Sequence, residues 1–175
     1  MTHYNALNAY LRQRFGCKVY KLSLSSGCTC PNRDGKLGTR GCIFCSGSGE
    51  FAASSAAPVA QQLEQAKYIL GKKAQGAKFI AYFQDYTNTY GDVSYLEPLF
   101  SAAMAPEDVV ALSIATRPDC LGPEVLSMLA RLRRQKPVWA ELGLQTIHEE
   151  TARYIRRGYA LPVFDEAVRN LHAIG

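Results

Sequence analysis

The sequence lacks any long apolar run. No segment approaches the roughly 18 consecutive apolar residues that a membrane-spanning helix needs, although hydrophobic residues make up 47% of the 175 positions. The amino terminus, MTHYNALNAY, also lacks the basic region and apolar stretch of a secretory signal peptide. We therefore expect a cytoplasmic protein with no membrane partner.

Low-complexity linkers and close internal repeats are absent as well, and the three histidines show no metal-ligand spacing. Charged residues make up 20% of the chain and the formal net charge is +5. That mild excess permits an anionic ligand or RNA without requiring either. A chain of this length and composition predicts one globular domain with a hydrophobic core.

Cysteine, by contrast, is concentrated in one place. Four of the six cysteines form the pairs Cys28-x-Cys30 and Cys42-x2-Cys45 on a loop rich in glycine. In a reducing compartment, clustered cysteines indicate metal binding or catalysis rather than disulfides. Three thiolates, from Cys30, Cys42 and Cys45, would leave one position open on a zinc ion, or one iron free on an iron–sulfur cluster.

Predicted strands and helices alternate along the chain. Apolar and alternating segments predict strands at 18–24, 79–83, 109–115 and 138–144, and helical spacing predicts helices at 4–15, 58–74, 95–104, 123–134, 148–157 and 163–173. This alternation is typical of an α/β fold with parallel strands and helical crossovers. Because chemistry in such folds gathers at the carboxyl ends of the strands, we expect the polar residues there to converge.

The wider sequence resembles a known enzyme family. The pattern Cys30-x11-Cys42-x2-Cys45, with the aromatic Phe44 before the last cysteine, is similar to that of radical S-adenosylmethionine (SAM) enzymes. The more specific segments are GCTCPNRDG at 27–35, GCIFCS at 41–46, YFQDYTNTY at 82–90, TRPD at 116–119, ELGLQT at 141–146 and RGY at 157–159. Their order resembles the YhcC-like bacterial branch of that family, which is related to the Elp3 catalytic domain. The resemblance runs from about residue 4 to the end.

The resemblance implies the fold and the cofactors. Residues 1–175 would form the N-terminal part of a radical SAM core domain, folded as a partial (β/α) barrel of the TIM type, with a cluster loop at about 27–50. The three cysteines would hold a [4Fe–4S] cluster whose open iron binds SAM. Reductive cleavage of SAM would then give a 5′-deoxyadenosyl radical that abstracts hydrogen from a substrate.

The resemblance also implies further site residues and partners. Contacts to the cofactors are expected from Phe44, Gln84, Glu141, Gln145 and Arg157. Arg157 resembles an arginine that pairs with the methionine carboxylate, a task that suits a guanidinium fork. An electron donor such as flavodoxin or ferredoxin is implied, and kinship within the family favours tRNA as the substrate.

Alternatives stay open at this point. Cys28 could join the other three cysteines in a zinc module that binds RNA or protein. Glu141, on an apolar strand, could form a structural ion pair instead of touching a cofactor. The family barrel continues through further strands, so we expect a truncated form, and an inactive half-barrel is a second alternative.

Overall fold

The computed structural model describes residues 4–45 and 57–175. Four parallel strands form one sheet in the order β1 (Val19–Leu24), β2 (Lys78–Phe83), β3 (Val109–Thr116) and β4 (Val138–Leu142). The helices are α1 (Leu7–Phe15), α2 (Val59–Leu70), α3 (Val93–Met104), α4 (Pro123–Leu132), α5 (Glu149–Tyr154) and α6 (Leu161–Ala173). Short 3-10 turns follow α2 and β3 at Gly71–Ala74 and Pro118–Cys120.

The predicted α/β architecture is confirmed. Each predicted strand and helix is present with its ends shifted by a few residues, and the parallel sheet with helical crossovers is consistent with a partial barrel of the TIM type. The predicted cluster loop at 27–50 is described as far as Cys45, and residues 46–50 lie outside the described residues. Among the described residues, no helix combines the length and apolar character needed to cross a membrane.

One face of the sheet packs against α2, α3 and α4. It buries apolar side chains, among them Leu22, Leu24, Phe83 and Ile114. The β-branched and aromatic residues of this set are of the kinds that favour strands. The ring of Phe83 meets that of Phe100 on α3 edge-on, with 4.9 Å between the ring centres. This helix-covered face holds most of the hydrophobic core.

The opposite face of the sheet, here called the inner face, has an apolar cover from the described residues only at the amino ends of its strands. There Leu11 of α1 packs with Val19, Ile80 and Ala111 in a small apolar cluster. Farther along, each strand contributes a polar residue to a cluster on the inner face, namely Lys21, Tyr82, Ser113 and Glu141. The inner face thus changes from apolar to polar toward the rim where the predicted site residues lie.

Candidate active site

A cavity of about 340 Å³ lies at the carboxyl ends of the strands. We call it the front cavity. All of the sequence-predicted site residues line it, namely Cys30, Cys42, Phe44, Cys45, Gln84, Glu141, Gln145 and Arg157. Four separate chain segments supply these residues, and they meet because parallel strands end at the same edge of a sheet.

Two turns and one arginine shape the cysteine loop. The backbone N–H of Arg33 donates to the carbonyl of Cys30 at 2.7 Å, and the N–H of Cys45 donates to the carbonyl of Cys42 at 3.1 Å. The Arg33 guanidinium donates to the carbonyl of Cys45 at 3.0 Å and passes over Gly41. A Cβ at Gly41, which has a φ of 69°, would lie 2.9 Å from Arg33 Cζ, so the loop requires glycine there.

The three cysteines predicted as ligands are free thiols that share the wall of the front cavity. Within residues 4–45 and 57–175, no three His, Cys, Asp or Glu side chains converge on a position for a single metal ion. In an iron–sulfur cluster the thiolates bind different irons, so their sulfur atoms need not surround one point. An all-sulfur donor set on one wall fits such a cluster.

Cys28 points away from this wall. Its side chain packs against the core, and a Cβ added at Gly91 would lie 3.3 Å from its Sγ. Burial raises the pKa of the Cys28 thiol, with the Ser26 hydrogen bond acting in the opposite sense. A partly buried thiol that packs against apolar side chains is a poor source of thiolate, and Cys28 does not line the front cavity.

Asn32 joins the cysteine loop to the turn after α5. Its side-chain amide donates to Cys42 Sγ at 3.2 Å and to the Arg156 carbonyl at 2.8 Å. Gly158 (φ 83°) packs against it, because an added Cβ there would lie 2.7 Å from Asn32 Oδ1. Arg117 reaches the same turn and donates to the Arg157 carbonyl at 2.9 Å. The sequence resemblance includes Asn32 in a motif, but no pattern in the sequence indicates its contact with Cys42.

Arg157 is almost fully buried, with 1% of its surface exposed. Its guanidinium donates to the backbone carbonyls of Thr146 at 2.6 Å and Tyr159 at 2.9 Å, and it lies 3.4 Å from a carboxylate oxygen of Glu149. These bonds anchor the loop that follows β4. Pairing of Arg157 with a ligand carboxylate stays a prediction, and most of its donors are already used within the protein.

Glu141 has partners on each of the other three strands. Lys21 Nζ lies 2.5 Å from its Oε1, Ser113 Oγ donates to Oε1 at 2.6 Å, and the Tyr82 hydroxyl donates to Oε2 at 3.1 Å. Burial acts to raise the pKa of Glu141, but the Lys21 and Ser113 bonds outweigh burial and lower it. The structural ion pair therefore exists, and the same carboxylate also lines the front cavity.

The pKa of Tyr82 changes in the opposite direction to that of Glu141. Burial and the neighbouring Glu141 carboxylate raise the pKa of the Tyr82 phenol to about 12. The Lys21 ammonium lies 3.9 Å from the centre of the Tyr82 ring. Lys21 thus holds both the carboxylate and the ring, so the carboxylate has a fixed position and stays ionised at neutral pH.

Backbone strain also concentrates at the site. Tyr86, Gln145 and Arg156 are the described non-glycine residues with positive φ, at 58°, 66° and 59°. Tyr86 and Gln145 line the front cavity, and the Arg156 carbonyl lies 3.3 Å from Cys42 Sγ. Such conformations persist where the surrounding structure imposes them, and they cluster at functional sites.

Comparison with known proteins gives a consistent result. A family model described as the radical SAM superfamily matches residues 30–175. The protein YtqA of Bacillus subtilis is 44% identical over 174 residues, which is 98% of this chain and 54% of YtqA. The protein YhcC of Escherichia coli is 39% identical over 158 residues, which is 89% of this chain and 50% of YhcC. The chain spans about half the length of the curated relatives it matches.

Proposed function

Because the chain belongs to the radical SAM superfamily, we propose that its front cavity holds a [4Fe–4S] cluster and SAM. The observation that carries this proposal is that three free thiols and the candidate SAM contacts from β2, β4 and the turn after α5 line one cavity. A bound cluster would supply one electron to SAM, which would then give methionine and the 5′-deoxyadenosyl radical that abstracts hydrogen from a substrate. The proposed setting is the cytoplasm, where thiols stay reduced.

The proposed cluster ligands are Cys30, Cys42 and Cys45. Asn32 supports this set, because its N–H donates to Cys42 Sγ and would orient the thiolate. Arg33 supports it through its bond to the Cys45 carbonyl, which fixes the second turn of the loop. Three ligands would leave one iron free for a small molecule, and Gln84 and Gln145 line the same cavity.

The proposed SAM site lies across the front cavity from the thiols. The volume of about 340 Å³ falls within the usual range for small-molecule pockets. Gln84 and Gln145 offer amide donors and acceptors, and Glu141 offers an ionised carboxylate for the amino group or the ribose hydroxyls. Phe44 supplies an apolar wall beside the thiols, and Arg157 holds the loop that carries Gln145.

Anaerobic reconstitution with iron and sulfide tests the proposal. We expect a brown protein whose iron and sulfide contents match one cluster, and 5′-deoxyadenosine after addition of dithionite and SAM. Replacement of Cys30, Cys42 or Cys45 by alanine should remove the cluster and the product. Circular dichroism of each apoprotein shows whether a variant has folded.

Cys28→Ala is the matched control, since Cys28 lies on the same loop but packs against the core. It should keep both the cluster and the product. A folded Cys28→Ala variant without a cluster would show that the ligand set is wrong. A colourless protein that binds zinc tightly through all four cysteines would favour the zinc-module alternative instead.

A further inference from the structure

A second cavity, of about 540 Å³, lies on the outer side of the cysteine loop. We call it the back cavity, and it lies between residues 37–41 and the α5 segment with its following turn. Three arginines line it, namely Arg40, Arg153 and Arg156, together with one carboxylate, Glu149. Glu149 lies within 3.4 Å of the buried Arg157, so its charge is partly matched from within the protein.

Two of the three arginine side chains are available to a partner. Arg40 and Arg153 are exposed. In the part of the chain that the structure describes, none of the three guanidinium groups forms an ion pair, and the Nε of Arg156 is buried without a hydrogen-bond partner. Leu37, which is 52% exposed, adds an apolar side chain to the same cavity.

The back cavity is separated from Cys42 by a single layer of residues. Asn32 lines the back cavity and donates to Cys42 Sγ at 3.2 Å. Arg156 also lines it, and its carbonyl lies 3.3 Å from the same sulfur. Apart from Tyr159, the front and back cavities share no lining residue. A partner at the back cavity would therefore approach Cys42 without occupying the front cavity.

On the basis of the proposed function, we infer that the back cavity and its arginines are the docking surface for an acidic protein that donates one electron. One electron leaves the donor and is transferred to the cluster, and no bond of the protein forms or breaks. A cationic surface steers an acidic partner into contact and fixes its orientation. Arginine is enriched at protein interfaces, and transient redox complexes need only a small contact area.

The charge distribution favours a protein over RNA at this surface. The arginines are confined to the wall that backs Cys42, and the exposed Glu149 and Glu150 lie on the adjacent turn of α5. An RNA backbone is usually recognised by a basic stripe or patch that follows several phosphates, which is longer than these three arginines provide. A compact cationic patch with one exposed leucine matches a small acidic surface better.

Charge reversal tests the inference by direct binding. The double variant Arg40→Glu/Arg153→Glu changes two exposed side chains that make no ion pair with described residues. The probe is an acidic flavodoxin, titrated calorimetrically into the apoprotein and into the reconstituted protein over a salt series. We expect at least tenfold weaker binding than wild type and a flatter dependence of affinity on salt. Wild-type affinity in the double variant would overturn the inference.

The matched control is Arg12→Glu/Arg134→Glu. Both arginines are exposed and lie toward the amino ends of the strands, on α1 and after α4, so the net charge changes equally at a distant surface. This control should bind flavodoxin as wild type does within about twofold. An equal loss of binding in the control would mean that net charge decides the affinity, and the inference would fail.

Two reductants separate this inference from the proposed function. With dithionite, Arg40→Glu/Arg153→Glu should form 5′-deoxyadenosine at the wild-type rate, whereas with reduced flavodoxin the rate should fall at least tenfold. If the wild type forms no product with dithionite, the proposed function fails, and the binding titration still decides the docking surface. Loss of affinity for a tRNA transcript with retained affinity for flavodoxin would assign the surface to RNA and overturn the inference.

Discussion

The two faces of the four-stranded sheet carry opposite kinds of side chain. Phe83 and its neighbours on the helix-covered face are fully buried among apolar groups. Tyr82, one position earlier, points to the inner face and hydrogen-bonds Glu141 beside Lys21. Side chains that alternate along a strand therefore face two different environments in successive positions. Stability therefore comes mainly from the helix-covered face, whereas the inner face carries the Glu141 carboxylate that lines the front cavity.

The inner face is costly to maintain. Removing a carboxylate and an ammonium group from water opposes folding, and replacing such a pair with apolar residues is often neutral or stabilising. The Lys21–Glu141 pair is about one-third exposed on each side, so it adds little to stability. Its position at the front cavity fits the proposed SAM site, which would use a fixed, ionised carboxylate.

Phe83→Ala should give the largest effect and tests the helix-covered face. Removing this buried ring, which also contacts Phe100, should lower the free energy of unfolding by about 3–5 kcal/mol. Urea denaturation of the apoprotein measures the change. Tyr82→Phe is the matched control: it removes one hydroxyl from the inner face and should cost about 1 kcal/mol. Equal losses in the two variants would contradict the difference between the faces.

The sequence predicted the features that depend on periodicity and chain order. Apolar runs with helical segments between them fixed the parallel sheet, and the carboxyl-end rule then placed Gln84, Glu141 and Gln145 together with the cysteines. The cysteine spacing singled out the loop because few other functions explain such a density of thiols. These signals are local in the chain or follow from general rules of topology.

Contacts that depend on strand register or on backbone groups could not be predicted. Lys21 meets Glu141 across 120 positions, and only the register of β1 to β4 brings them together. Arg157 bonds mainly to carbonyls, which every residue carries, so nothing in the sequence marks its partners. Tyr86 and Gln145 adopt positive φ without being glycine, and the sequence carries no signal for that either.

Ser113→Ala should give an intermediate effect and tests one hydrogen bond of the inner face. Ser113 is fully buried and donates to Glu141 Oε1 at 2.6 Å, so the variant loses one hydrogen bond to a charged group. We expect a loss of about 1–2 kcal/mol in the free energy of unfolding, measured by urea denaturation. Ser127→Ala, which removes an exposed hydroxyl bonded to the Pro123 carbonyl, should cost less than about 0.5 kcal/mol. A silent Ser113→Ala variant would mean that the hydrogen bond from Ser113 to Glu141 does not stabilise the inner face.

Lys21→Met should give the smallest change in stability at neutral pH, about 1 kcal/mol or less, because the pair is partly exposed.

The distinctive effect of Lys21→Met is on how the free energy of unfolding depends on pH. In the wild type the folded protein holds the pKa of Glu141 below its usual value, so the stabilisation is present above the unfolded carboxyl pKa and is lost as pH falls through the folded one. Without Lys21, we expect burial to raise the pKa of Glu141. The loss of stability at acid pH should then shrink or reverse. Urea denaturation between about pH 2 and 7, a range that includes the loss below the usual carboxyl pKa, measures it, with Lys73→Met, an exposed lysine without an ion pair among the described residues, as control. If the free energy of unfolding of Lys21→Met had the same pH dependence as that of the wild type, Lys21 would not lower the pKa of Glu141. The inner face would then not hold this carboxylate in its ionised form through Lys21.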